Sequence, residues 1–135
     1  MKAILSLGSN CGDRSGMISD ALEKLGGICR ILRQTVIYES PDCLGNGSKY
    51  MNAIAEIETI LDLPTLNLRL KDLEKEAGRT KETRALGLVP LDMDIVVADG
   101  IIVRNNDFNS AYFRKGYSLL AGKNNKIVKN EPAKC

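Results

Sequence analysis

Histidine and tryptophan are both missing from this 135-residue chain. Without histidine, a Ser-His-Asp triad, a Cys-His pair, an imidazole proton shuttle and every histidine-containing metal site are excluded. Any aromatic clamp must use the four tyrosines and two phenylalanines that the sequence contains. The four cysteines lie far apart and form no C-x-x-C pair, so reduced thiols are a simpler interpretation than a zinc site.

Long apolar runs are missing as well. No stretch of the sequence approaches the roughly 20 apolar residues that a membrane-spanning helix needs. The opening has one lysine and a short apolar run before Gly8, a pattern unlike a signal peptide. We therefore expect a cytoplasmic protein with no membrane partner and a single domain over residues 1–121.

The charge is small and unevenly distributed. The chain has 19 basic and 17 acidic residues, a net charge of +2. Residues 122–135 carry +3 of this, and we expect them to form a basic, poorly ordered tail. The remaining residues have a net charge of −1, and the aromatic strand motif of RNA-binding domains is absent, so no nucleic-acid partner is expected.

The hydrophobic pattern predicts the order strand, helix, strand, strand, helix, strand. This order is typical of the split βαβ, or ferredoxin-like, α+β fold, a mainly antiparallel sheet with both helices on one face. A hairpin arm turning at Asp99-Gly100 follows, and the periodicity fades after residue 104. The predicted strands cover residues 3–7, 28–39, 50–60, 91–98 and 101–103, the predicted helices run from Asp13 to Gly26 and from Pro64 to Gly78, and residues 40–48 and 79–90 are predicted loops.

Asp92 and Asp94 form the sharpest local feature of the sequence. Residues two apart on a strand share a face, so the two carboxylates project to the same side. Like charges so placed repel each other and raise one pKa unless a cation lies between them. Mg²⁺ suits such a pair and completes its shell with phosphate oxygens. An exposed strand face is the alternative that the spacing leaves open.

Three basic residues, Arg79, Lys81 and Arg84, follow the second predicted helix within six positions. They would neutralise a metal-bound polyphosphate if the predicted loop folds over the two carboxylates. A solvated loop that complements the C-terminus of the helix is the alternative.

Several further residues have two open interpretations. Gly8-Ser9-Asn10 resembles the start of a phosphate loop, but the G-x-x-x-x-G-K-[ST] motif is absent, so a simple strand exit is the plainer interpretation. The amide of Asn52 can read the polar edge of a flat heterocycle, and Tyr50 and Tyr117 can stack on such a ring. The alternatives are equally open: Asn52 is a polar group satisfied within the protein, and the two tyrosines are amphipathic surface aromatics.

Five blocks in order resemble the 6-hydroxymethyl-7,8-dihydropterin pyrophosphokinases of folate biosynthesis. They lie between residues 3 and 104, and the fold of that family agrees with the split βαβ order predicted above. The blocks are Ile4-Leu5-Ser6-Leu7-Gly8-Ser9-Asn10-Cys11-Gly12-Asp13-Arg14, Tyr38-Glu39-Ser40-Pro41, Tyr50-Met51-Asn52, Glu74 with Gly78-Arg79, and Leu91-Asp92-Met93-Asp94-Ile95.

The resemblance implies transfer of pyrophosphate from ATP to the pterin hydroxymethyl oxygen, with release of AMP. It implies two Mg²⁺ ions held by Asp92 and Asp94, and catalytic cations at Arg79 and Lys81. Loops that close over the phosphates would exclude water. Separately, we expect the protein to be a monomer. The implied substrate contacts are Gly8, Ser40, Pro41, Tyr50, Asn52 and Tyr117 for the pterin, and Glu74, Ile95 and Lys115 for the nucleotide.

The chain departs from the family pattern at four positions. Val89 stands where an arginine that touches ATP phosphates is expected, Leu86 where tryptophan is common, Asn109 where histidine is expected, and Lys115 where arginine is common. Losing one charge-assisted phosphate contact typically costs about 1.5–3 kcal/mol. We therefore consider three hypotheses. The protein is a pyrophosphokinase, a catalytically impaired pterin- or nucleotide-binding relative, or an unrelated nucleic-acid-binding domain. The third is the least supported.

Overall fold

The structure is a computed structural model that describes residues 1–40 and 49–122. Within these ranges it contains six strands and five helices, and the order of the first strands and long helices is the predicted one. The predicted loop over residues 40–48 and the predicted basic tail lie outside the described residues, apart from Ser40 and Gly122. The elements are β1 (Lys2–Ser9), α1 (Arg14–Leu25), β2 (Arg30–Gln34), β3 (Tyr38–Ser40), β4 (Tyr50–Glu58), α2 (Leu63–Glu76), α3 (Lys81–Ala85), β5 (Asp92–Ala98), β6 (Ile101–Ile102), α4 (Asn105–Phe108) and α5 (Ala111–Ala121).

All strand pairs in the sheet are antiparallel, which confirms the predicted α+β class. The strand order is β2-β4-β1-β5-β6, with β3 also paired to β4. The hairpin predicted at Asp99-Gly100 is present, because Val97 and Ala98 pair with Ile102 and Ile101. The central strand β1 is therefore flanked by β4 and β5, which carry the candidate site residues.

The two faces of the sheet bury different clusters. On the first face, α1 and α2 pack over alternate residues of β1, β4 and β5, as the hydrophobic pattern predicts. On the second face, α5 packs over β4 through residues such as Phe113, which is fully buried with Ile54. The structure thus adds a helix on the face that the sequence analysis left open.

Side chains cap both long helices. The Asp13 carboxylate accepts a hydrogen bond from the Gly16 N–H at 3.1 Å, the cap that the sequence predicts. Asp62 does the same for Thr65 at 2.9 Å, and Pro64 occupies the first turn of α2. Among the described residues, no helix is long and apolar enough to cross a membrane.

The prediction of one long strand over residues 28–39 is wrong. The segment forms β2 and β3, which pair with two different parts of β4. Between them the Thr35 hydroxyl accepts a hydrogen bond from the Ile54 N–H at 3.0 Å, so a side chain replaces a backbone acceptor there. High β-propensity alone cannot reveal such a break.

Two further predictions are corrected. Residues 79–90 are not only a loop, because they contain α3, which begins with a reciprocal capping box between Thr80 and Thr83. Beyond residue 104, α4 and α5 replace the expected loss of periodicity. A glycine, Gly116, lies on the buried face of α5, which weakened the apolar pattern of that helix.

Candidate active site

Asp92 and Asp94 project from the same face of β5, as their spacing predicts. They lie in register with Gly8 and Ser6 of β1. The side chain of Asp94 is only 12% exposed, and that of Asp92 is 37% exposed. Two carboxylates are therefore held together at the end of a buried strand.

The pKa values of the two carboxyls are driven apart. Burial, and then the charge of Asp92, raise the pKa of Asp94 to about 6. Burial also raises the pKa of Asp92, but hydrogen bonds from Asp94 and Arg79 outweigh it and hold this pKa below its ordinary value. The pair therefore repels itself at neutral pH, the condition that a bound divalent cation relieves.

Two side chains of α2 complete the open edge of β5. Strand β6 pairs with Val97 and Ala98, so within residues 1–40 and 49–122 no strand lies beside the Met93 backbone on that edge. The Met93 N–H donates to Glu74 Oε2 at 2.7 Å, and the Met93 carbonyl accepts from Lys71 Nζ at 2.9 Å. Glu74 and Lys71 thus supply the acceptor and the donor that a neighbouring strand would provide.

Lys71 also joins this edge to the carboxylate pair. Its ammonium lies 2.8 Å from Glu74 Oε2 and 3.3 Å from Asp94 Oδ1, besides the Met93 carbonyl. These three acceptors match its three N–H donors. Burial lowers the pKa of Lys71, but the two carboxylates outweigh it and hold the pKa above its ordinary value.

Arg79 bridges the two acidic groups on the other side. Its Nη1 lies 2.9 Å from Asp92 Oδ1 and 3.0 Å from Glu74 Oε1. The same nitrogen lies 3.4 Å from the Leu91 carbonyl oxygen. A third cation, Arg104, places Nη1 3.8 Å from Asp94 Oδ1 and also pairs with Asp107. The carboxylates are thus surrounded by three cations from different parts of the chain.

Two clefts flank the carboxylate pair. One has a volume of about 540 Å³ and is lined by five basic side chains and one carboxylate. The other, about 370 Å³, has an apolar side made by Leu63, Pro64, Ile95 and Val103 and a charged side at Asp94 and Arg104. Lys71 lines both. The basic lining of the first cleft is Lys71, Lys75, Arg79, Lys81 and Arg84, and its carboxylate is Glu74.

A second group of predicted residues lies across the sheet from Asp92. Direct cross-strand pairs link four residues in a row: Tyr38 pairs with Asn52, Asn52 with Gly8, and Gly8 with Asp92. The four residues therefore share one face of the sheet. Gly8 has no side chain, and a Cβ there would be in ordinary van der Waals contact with Tyr50, Asn52 and the Met51 carbonyl oxygen at 3.4 to 3.8 Å. Since adjacent strands lie about 4.8 Å apart, Asn52 and Asp92 are separated by roughly 10 Å, about the width of a bicyclic ring.

The polar atoms of Asn52 are already organised. The residue is 3% exposed, and its amide nitrogen lies 2.7 Å from Ser40 Oγ and 3.4 Å from the Tyr38 carbonyl oxygen. Tyr50 is close to Gly8, because its Cδ2 lies 3.4 Å from the point where a Cβ on Gly8 would be. Ser40, Tyr50 and Asn52 are thus brought together next to Gly8.

The remaining predicted residues lie elsewhere or outside the described residues. Tyr117 packs against Phe113, with ring centroids 5.8 Å apart, inside the α5 cluster. The Lys115 ammonium lies 5.5 Å from the centroid of the Tyr38 ring. Lys81 is exposed, Ile95 is 5% exposed, and Pro41 lies outside the described residues.

The positions that depart from the family pattern are also visible. Leu86 is 73% exposed after α3. Asn109 donates to the Asn105 carbonyl at 2.9 Å and accepts from Arg114 at 3.2 Å. Its amide is thus used within the segment between α4 and α5.

Sequence reasoning did not single out Lys71 or Arg104. Lys71 precedes Glu74 by three residues, so the two share a helix face, and this spacing is a signal that could have identified it. Arg104 has no such signal, because only the return of the chain after β6 brings it to Asp94.

The fold and the site define an α+β protein that holds a carboxylate pair beside one basic cleft and one partly apolar cleft, an arrangement suited to a metal-bound polyphosphate. Over residues 4–118 the chain matches the family model described as 7,8-dihydro-6-hydroxymethylpterin-pyrophosphokinase (HPPK). Since the match covers most of the chain, the protein belongs to the HPPK family.

Curated relatives agree with this assignment. The 2-amino-4-hydroxy-6-hydroxymethyldihydropteridine pyrophosphokinase of Aquifex aeolicus (strain VF5) is 36% identical over 101 residues, 74% of this chain and 62% of that protein. The folic acid synthesis protein fol1 of Pneumocystis carinii is 38% identical over 95 residues, 68% of this chain and 13% of that protein. The mitochondrial folate synthesis bifunctional protein of Pisum sativum is 32% identical over 108 residues, 78% of this chain and 21% of that protein. The chain therefore spans less than two thirds of the length of these relatives.

Proposed function

We propose that the protein transfers pyrophosphate from ATP to 6-hydroxymethyl-7,8-dihydropterin, giving AMP, as a step of folate biosynthesis. The observation that carries this proposal is the Asp92–Asp94 pair, set beside a basic cleft and a partly apolar cleft and in register with Gly8 and Ser6 of β1. Membership of the HPPK family supports the same reaction.

The donor set of the pair fits Mg²⁺. Carboxylate oxygens are the hard ligands that this ion prefers, and it usually keeps positions for phosphate oxygens and water. The raised pKa of Asp94, which burial and then the charge of Asp92 produce, is a further argument, because a divalent cation beside the pair would favour the ionised carboxylate. When bound, Mg²⁺ would neutralise the phosphate charge and orient the transferred group. Two ions bound together with ATP remain our expectation.

The nucleotide would lie on the α2 side of the pair. The apolar side of the smaller cleft, with Ile95 and Pro64, suits a flat base, while Arg104 lies at its charged side. The phosphates would then meet Arg79 and the basic cleft, where Lys81 and Arg84 add charge from α3. These side chains bind and position the triphosphate without chemical change to themselves.

The pterin would lie over Gly8. There the amide of Asn52, the hydroxyl of Ser40 and the ring of Tyr50 lie beside the glycine, which has no side chain of its own to occupy the position. The row from Asn52 to Asp92 then directs the hydroxymethyl group of a bound pterin toward the carboxylate pair.

The transfer itself requires positioning more than a nucleophilic side chain. The hydroxymethyl oxygen forms a bond to the β-phosphorus of ATP, the bond from that phosphorus to the α,β-bridging oxygen breaks, and AMP leaves with that oxygen. The hydroxyl proton passes to solvent or phosphate. A chain without histidine can therefore carry out this reaction, and Arg79 stabilises the charge that shifts onto the leaving phosphate.

The test is the formation of AMP from ATP, Mg²⁺ and hydroxymethyldihydropterin. We expect AMP to form only when the pterin is present, and to vanish in Asp92→Ala and Asp94→Ala. The matched control is Asp72→Ala, which removes an exposed carboxylate from α2 and should leave the rate unchanged. No pterin-dependent AMP from the folded protein at any ATP concentration would contradict the proposal. Pterin binding without AMP would then identify the catalytically impaired relative.

A further inference from the structure

Asn10 is tied to a segment far away in the sequence. Its backbone N–H donates to the Val89 carbonyl at 2.9 Å. Its side-chain Nδ2 donates to the Gly87 carbonyl at 3.1 Å, and its Oδ1 accepts from the Val89 N–H at 2.6 Å. The residue is 8% exposed, so these bonds form away from bulk water. The end of β1 therefore holds residues 87–89 with both ends of one amide.

Asparagine is the residue type that this arrangement requires. A side chain of this size must offer a donor and an acceptor at once, which a carboxamide does and a carboxylate or an aliphatic group does not. Both polar ends of Asn10 are used, so they are not available to hold a phosphate. The neighbouring Ser9 hydroxyl lies 3.3 Å from the Cys11 carbonyl oxygen, a purely local contact. Asn10, directly after β1, is therefore the residue that attaches this end of the strand to residues 87–89.

The anchored segment carries the cations of α3. At one end Arg79 is held by Glu74 and Asp92, and at the other end residues 87–89 are held by Asn10. Between these two points α3 buries none of its residues. The placement of Lys81 and Arg84 at the basic cleft therefore depends on the two attachments rather than on packing of the helix.

We infer that Asn10 is a positioning residue for pyrophosphoryl transfer: its amide fixes the 87–89 end of the segment and so places the α3 cations against the phosphates of the nucleotide. The inference rests on the proposed function and adds a residue that touches neither substrate. It predicts that Asn10 affects nucleotide binding and the transfer step, while binding of the pterin, which Asn52 and Ser40 organise, is unaffected.

The first test needs no activity. In Asn10→Leu, which removes both side-chain bonds and keeps the branching of the side chain, we expect the amides of residues 87–89 to exchange at least about tenfold faster than in the wild type. The dissociation constant of Mg²⁺ with α,β-methylene-ATP should rise by about tenfold, while that of the pterin changes less than about twofold. Asn10→Asp is a second variant that keeps the size and the acceptor but loses the donor to Gly87, and an intermediate change is expected. Asn106→Asp, an exposed isosteric change on α4, is the control and should alter none of these values.

The second test uses turnover. We expect kcat to fall about tenfold or more in Asn10→Leu with the KM for the pterin unchanged. A merely structural defect would instead reduce the fraction of protein that binds pterin, which titration measures. Slow exchange at residues 87–89 in Asn10→Leu, or fast exchange with unchanged nucleotide affinity, would overturn the inference. If the wild type forms no AMP, the proposed function fails while the exchange and nucleotide-binding results still decide the role of Asn10.

Discussion

The Glu74 carboxylate lies 2.7 Å from the backbone nitrogen of Met93, so a helix side chain accepts the hydrogen bond of a strand residue that stands between two aspartates. The same carboxylate binds Lys71 and Arg79, the cations nearest to those aspartates. Glu74 is 5% exposed. The buried carboxylate of Glu74 therefore holds the edge of β5 and also positions Lys71 beside Asp94 and Arg79 beside Asp92.

Replacing Glu74 should destabilise the protein. Glu74→Ala leaves the buried Met93 N–H without its acceptor, so we expect a loss of about 2–4 kcal/mol in the free energy of unfolding. Glu74→Gln keeps an acceptor for Met93 but not the ion pair with Arg79, and an intermediate loss is expected. Urea unfolding measures both. The control is Glu76→Ala on the same helix, whose exposed carboxylate should contribute less than about 0.5 kcal/mol. Equal values for the alanine variants at 74 and 76 would contradict this role.

Stability without metal should depend on pH through Asp94. Its pKa is raised from 3.8 to about 6, so between these values the folded protein holds a proton that the unfolded chain has released. This contribution is fully present below pH 4 and is lost as the pH rises through 6. Asp94→Asn lacks the titration, so in EDTA its stability relative to the wild type should increase by about 2–3 kcal/mol from pH 4 to pH 7.

Urea unfolding at each pH checks this difference, with Asp72→Asn as the exposed control. A difference between wild type and Asp94→Asn that stays constant from pH 4 to pH 7 would show that the folded protein does not raise the pKa of Asp94. Adding Mg²⁺ and ATP at pH 7 should stabilise the wild type and not the variant, because only the wild type keeps both acidic ligands.

Arg79 should not be replaceable by lysine. A single nitrogen, Nη1, serves Asp92, Glu74 and the Leu91 carbonyl together, so the rest of the planar guanidinium can face a phosphate. A lysine ammonium has one nitrogen for all of these partners and cannot do both. We expect Arg79→Lys to lower kcat/KM for ATP by about tenfold, and Arg79→Met by about a hundredfold. Arg69→Met, on the exposed face of α2, is the matched control in the same steady-state assay. If Arg79→Lys has the same kcat/KM as the wild type, Arg79 contributes only its positive charge.

Two glycines should respond to alanine in opposite ways. A Cβ on Gly116 would lie 2.2 Å from the Tyr38 hydroxyl oxygen and 2.3 Å from Ile54 Cγ1, so Gly116→Ala should cost about 3 kcal/mol or more. A Cβ on Gly8 would meet only ordinary contacts, the nearest at 3.4 Å. Gly8→Ala should therefore fold normally and still weaken pterin binding, because the methyl group occupies the space beside Asn52.

Thermal unfolding separates the two glycine variants, and fluorescence titration with the pterin measures binding. If Gly8→Ala binds the pterin with normal affinity, the pterin does not bind over the row of residues between Asn52 and Asp92. A Gly116→Ala protein as stable as the wild type would show that α5 can shift away from the sheet at little cost.

The sequence was sufficient for features that depend on local spacing. The period of 3.6 in Leu66, Leu70 and Leu73 predicted α2 and its buried face, and the two-residue spacing of Asp92 and Asp94 predicted their common face. It was insufficient where a side chain or a glycine interrupts a pattern. Thr35 splits the strand expected over 28–39, and Gly116 weakened the signal of α5.

Long-range contacts were decided by the tertiary structure alone. The sequence by itself determined the α+β order, both long helices and the acidic pair, because hydrophobic periodicity and strand alternation are properties of neighbouring residues. Three contacts follow only from how the elements pack. Lys71 and Glu74 complete the edge of β5, Arg104 reaches Asp94, and Asn10 holds residues 87–89. These partners are separated by 10 to 79 residues, and a hydrogen bond depends on distance in space, which spacing along a chain does not encode.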